Sequence, residues 1–198
     1  MNKERILRLA DHMETVDKRK YLQSRWLDGI VSSRTAIFDK VADKHFRVTP
    51  KEGFCGTAAC VLGHAAMIPD MGVAIFAEAE YVLVRNGRRE SGDFGVYSID
   101  DKGHPLKDKH GDYVSGFDAG MQAMGISAAD AEVIFGSTNH QTKAFYLGCR
   151  TYQELLDKDG ISSVFHEVVT PAVVAAALRR YVETDGASMI DHENFWGE

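Results

Sequence analysis

Apolar residues recur every three or four positions toward both ends of this chain, but between Tyr81 and Phe117 they alternate. Side chains share a helix face with a period of about 3.6 and a strand face with a period of about 2. A chain that carries both patterns has to pack helices against strands. In "YVLVRNGRR" an apolar, β-branched run leads into Asn86-Gly87, the dipeptide that best fits a tight hairpin turn. "FGVYSIDDKGHPLKDKHGDYVSGF" adds further alternating stretches separated by Asp-Lys-Gly and His-Gly-Asp turns. This region, about 77–117, reads as a small antiparallel hairpin or meander inserted between helices. Asp100, Asp101, Asp108 and Asp112 lack the spacing of a calcium-binding loop and read as solvated turn residues.

The helical segments are marked by their faces and caps. Ile6, Leu9, Met13 and Val16 share one face of an N-terminal helix. From Lys20 to Lys44, Tyr21, Trp26, Ile30, Ile37, Phe38 and Val41 suit one or two further helices. "HFRVTP" reads as a short extended entry to a small-residue helix running from Thr57, its N-cap, to Ile68 before Pro69. Ser127 caps a helix over "AADAEVIF", and "YQELLDKDG" suits a helix ending near Gly160. Thr170 and Pro171 start a last helix that buries Val174, Ala177, Leu178 and Tyr181. The final residues, about 186–198, read as a loose tail in which Phe195 and Trp196 could dock.

Composition removes several classes of function. With 198 residues the chain has room for one well-packed domain, and its 44% apolar and 26% charged content is that of a globular protein. A net charge of -6 provides no general basic footprint for nucleic acid, although Arg85, Arg88 and Arg89 form a local basic patch. No apolar run has the roughly 20 residues of a membrane span, and the N-terminus lacks a signal-peptide core, so a cytoplasmic protein is expected. Cys55, Cys60 and Cys149 are too few and odd in number for a disulfide scaffold and read as reduced thiols.

Chemistry, if present, concentrates in "FCGTAACVLGHAAMIP", Phe54 to Pro69. Cys55 precedes the expected helix start, where a helix dipole lowers a thiol pKa and free backbone N–H groups can hold an oxyanion. It would then be the nucleophile of a hydrolase or transferase, with His140 or His166 as base. Cys60 and His64, four apart, could share a helical face as metal ligands, with Cys55 nearby and Cys149 or His166 as a fourth. That spacing does not match the close-paired ligands of zinc sites. The third reading is packing: the alanines and Gly63 keep the helix slim, and buried cysteines behave as small hydrophobes. Packing explains every residue type in the motif, so no metal or cofactor is expected.

Together, "FRV", "CGTAACVLGHAA", "MGISAADAEVIF" and "TPAVVAAALRRYV" resemble a family of small bacterial and phage proteins marked by CGTxxCxxGxA and a late Thr-Pro-initiated helix. The matched pieces span about a third of the chain. The resemblance implies a compact, mainly helical core and a phage or mobile-element setting, and it brings no activity with it. Many members carry Trp where His64 stands, which implies no obligatory ligand there.

The expected architecture is a single α+β domain, mainly helical and bundle-like, with the hairpin as an insertion. The expected function is non-enzymatic binding of a host protein or small-molecule ligand. Arg85, Arg88, Arg89 and His104 of the inserted region are the binding candidates, because insertions on a compact scaffold tend to carry partner specificity.

Overall fold

A computed structural model describes residues 1–21, 31–32, 36–42, 45–50, 60–78, 83–85, 88–91, 94–136, 139–159, 165–187 and 189–197. Its framework is helical. Helix α1 (Lys3–Thr15) packs along the C-terminal helix α8 (Pro171–Glu183), burying Ile6, Leu9 and Met13 against Val174, Leu178 and Tyr181. Both helices start as their sequences dictate: Asn2 accepts from the Arg5 N–H, and Thr170 accepts from the Val173 N–H ahead of Pro171. Across the outside of this pair Arg179 binds Asp11 at 2.7 Å and Glu14 at 2.9 Å.

Around this pair lie α2 (Val61–Ala65), α3 (Gly116–Met124), α4 (Ala128–Phe135), α5 (His140–Leu147), α6 (Tyr152–Asp159) and the single turn α7 (Phe165–Val168). Ser127 caps α4 through the Asp130 N–H, as its sequence predicts. Among the described residues no helix is long and apolar enough to cross a membrane.

The helices rest on a four-stranded antiparallel sheet of order β2-β3-β4-β7, built from β2 (Ala36–Ala42), β3 (His45–Pro50), β4 (Val73–Glu78) and β7 (Gly95–Ser98). β4 is central and buried on both faces. Val73, Ile75 and Ala77 enter the main core, and the opposite face carries Phe76, which meets His45 and Tyr97 edge-on. A second sheet has the order β1-β6-β5, from β1 (Val31–Ser32), β5 (Leu83–Arg85) and β6 (Arg88–Ser91). In it Arg85 pairs with Arg88, the register of a two-residue hairpin loop, while Asn86 and Gly87 lie outside the described residues.

The mainly helical α+β architecture is therefore as expected, but the β component is larger than an insertion. Three of the four main strands lie wholly or almost wholly before residue 77, and β1 and β2 replace the helices expected within Lys20–Lys44. Ile37, Phe38 and Val41 stand at helical spacing in the sequence, and the strand they form carries a register shift between Lys40 and Ala42 that breaks its alternation. The C-terminal tail is not loose either. Met189, Ile190 and Phe195 are buried, and the Tyr152 N–H donates to the Phe195 carbonyl at 2.7 Å.

Candidate functional site

In the cysteine-rich motif, the helix begins later than its composition predicts. α2 starts at Val61 and its N-cap is Cys60, whose Sγ accepts from the Gly63 N–H at 3.4 Å, so Thr57 is not the cap. A chain in extended geometry at Cys60 cannot carry the same helix back to Thr57. Cys55 lies outside the described residues, and the helix start invoked to activate it lies at Cys60 instead. Cys60 is itself buried, and burial pushes its thiol up to about 11, which leaves it protonated and inert at neutral pH.

His64 is buried in a hydrogen-bonded chain. Its Nε2 is 3.0 Å from the Lys20 carbonyl, and its Nδ1 is 3.2 Å from Nε2 of His12 on α1. A carbonyl only accepts, so His64 donates through Nε2–H and its Nδ1 accepts from His12. The two rings thus clip α1, the Lys18–Lys20 turn and α2 together as neutral imidazoles. Burial lowers the pKa of His12 and takes that of His64 down to about 4. Among the described residues no group of three or more His, Cys, Asp or Glu is placed to hold a metal ion.

The other sequence candidates are dispersed. His140 is the exposed first residue of α5, 5.2 Å from the Tyr152 ring and 5.9 Å from the Trp196 ring. His166 lies on α7, and its side chain is outside the described residues. Arg85, Arg88 and Arg89 are placed by their backbone on the β5–β6 hairpin. His104 is exposed, with Nδ1 3.6 Å from Asp100.

After β7 the chain folds into two consecutive copies of one turn. Asp100 Oδ1 accepts from the N–H groups of Lys102 and His104, and Asp108 Oδ1 accepts from those of His110 and Asp112. Gly103 and Gly111 occupy equivalent positions at φ +80° and +90°. Asp100 and Asp108 are therefore turn-builders, as expected, and the repeat D-x-x-G spaced by eight was the legible signal for it.

The second turn and α3 enclose a groove of about 910 Å³. Its lining is split chemically. Tyr113, Val114, Met121 and Ile126 form a half-buried apolar part, while Asp108, Asp112 and Asp118 are exposed carboxylates. Lys107 Nζ sits 4.7 Å from the centroid of the Tyr113 ring. Behind Tyr113 lies His45, 4.3 Å away ring to ring, buried, with neither ring nitrogen hydrogen-bonded to a described residue. Burial lowers the His45 pKa against an opposing pull from Glu78, the residue paired with it on β4. No sequence periodicity marks this groove, because its walls are the 107–114 turn and α3, which lie side by side only in the fold. Comparison with protein-family models, curated proteins and solved structures finds no match.

Proposed function

We propose that the chain is a non-enzymatic binding protein that engages its partner through the groove between the 107–114 turn and α3. The observation that carries this reading is the groove's split lining. A cavity of about 910 Å³ lies within the range of ligand sites, which are mostly apolar with a few placed polar groups. Asp108, Asp112 and Asp118 outweigh Lys107, so the groove favours a partner with apolar and cationic groups. Lys107 over Tyr113 already makes the contact a partner's cation would make in its place. The inert Cys60 and the internally bonded His12–His64 pair support binding over catalysis. The family resemblance makes a host protein the first partner to test, with a small-molecule ligand as the other.

The probe is a basic amphipathic peptide of alternating Lys and Leu, titrated against the protein by calorimetry. Reversing Asp112→Lys with Asp118→Lys should weaken binding by about tenfold or more. Reversing Glu132→Lys with Glu183→Lys, exposed on α4 and α8 outside the groove, should cost far less. Equal losses from the two pairs would reduce the effect to net charge and sink the proposal.

A further inference from the structure

We infer that a second, smaller pocket, lined by Arg5 and Arg47, binds a phosphate group. It encloses about 310 Å³, and its lining brings together three parts of the chain: Arg5 from the first turn of α1, Arg47 from β3, and the Asp70–Gly72 and Ile99–Gly103 backbone. This site is independent of the groove and of the binding function proposed for it.

The guanidinium of Arg47 is half-buried and makes no hydrogen bond or ion pair with any described residue, and that of Arg5 makes one hydrogen bond, to the Ala123 carbonyl at 2.9 Å. Each guanidinium carries five N–H donors in a planar fork, so most of this donor capacity is left for whatever enters the pocket. Lys102 adds a third cation to the lining. The three carboxylates there do not consume this charge. Asp100 is turned into its own loop, accepting from the Lys102 and His104 N–H groups and facing the His104 ring, and neither Asp70 nor Asp101 pairs with a guanidinium. A partly buried arginine gains from an oxyanion what these carboxylates do not supply.

The backbone is shaped to admit the two arginines. A Cβ on Gly72 would lie 2.6 Å from Arg5 Nη1, and one on Gly103 would lie 2.8 Å from Arg47 Nη1. Gly103 and Gly111 make the same turn, yet a Cβ on Gly111 would meet nothing within 4 Å. Only the copy of the turn that closes over Arg47 is crowded. The two guanidiniums, neither paired with a carboxylate of the lining, favour an anion over a cation. Phosphate fits better than a carboxylate because a tetrahedral group can take donors from two differently oriented forks and an ammonium at once.

This twin turn supplies a matched control. Gly103→Ala and Gly111→Ala impose the same left-handed strain, and only the first displaces Arg47. Inorganic phosphate titrated into the full-length protein, with chloride at matched ionic strength as reference, should shift the Arg47 and Arg5 side-chain N–H resonances saturably. Acetate should shift them less. Gly103→Ala should weaken phosphate binding by about tenfold, Gly111→Ala should leave it unchanged, and Arg47→Gln should abolish it. A response no different from that to chloride would overturn the proposal, as would equal effects of the two glycine variants. If acetate binds as tightly as phosphate, the site is a carboxylate site and the assignment to phosphate fails.

Discussion

At the scale of single residues, His64 sets how the fold responds to acid. Its two nitrogens are committed to Lys20 and His12, and among the described residues these two are the titratable groups that act on it. Burial is the main force against a proton on His64; the charges of His12 and Lys20 add to it, and the hydrogen bond to the Lys20 carbonyl opposes it. The folded protein therefore favours the neutral ring, with a pKa near 4 against an ordinary value of 6.5. A depressed histidine leaves stability complete above about pH 6.5 and removes it as pH falls toward 4, because the unfolded chain takes up the proton first. The loss over that window is about 3 kcal/mol, and His12 adds to it with the same sign. Urea unfolding between pH 7 and 4 should show this slope, and His64→Gln should flatten it. An unchanged slope in the variant would move its origin elsewhere. The packing reading of the motif left His64 without a ligand role, but neither of its partners was legible in the sequence. Lys20 and His12 are far from it along the chain, and no spacing rule connects them.

At the scale of elements, sequence signals succeeded wherever the deciding interactions were local. Ser127 and Thr170 cap the helices they were expected to start, through bonds spanning three residues. Strand β2 shows the opposite case. "AIFDKVA" carries apolar residues at helical spacing, and its conformation is settled by β3, where Phe38 faces Val48 and Ile37 faces Thr49. Cys60 is a third case, since it is the extended N-cap of α2, three residues later than the helix-favouring composition predicts. The C-terminal segment was misjudged because its composition is polar, although Met189, Ile190 and Phe195 are buried in the core. Phe195 is fully buried, meets Tyr152 at a ring distance of 6.1 Å, and fixes the last turn against α6. Phe195→Ala should cost about 3–5 kcal/mol in chemical denaturation. Trp196→Ala, at a ring 61% exposed, should cost far less. Equal effects of the two would mean that the segment does not dock through Phe195.

At the scale of the whole molecule, the buried thiols report on cooperativity. Cys60 caps α2 and Cys149 follows α5, and both lie in the same continuous core at 1% and 2% exposure. Alkylation of these two, followed residue by residue by mass spectrometry, should be slow in native buffer and rise with denaturant at one common slope, that of global unfolding. Separate slopes would show that the α2 and α5 regions open independently. The same scale explains what the chain alone decided. Periodicity, caps and turn residues depend on neighbours within about one helical turn, so they determined helices α1, α4, α6 and α8, the β5–β6 hairpin and the aspartate turns. The sheet order, the His12–His64 clip, the groove beside Tyr113 and the Arg5–Arg47 pocket join residues distant in sequence. Their geometry follows from which faces the core can bury together, and only the tertiary structure decided it.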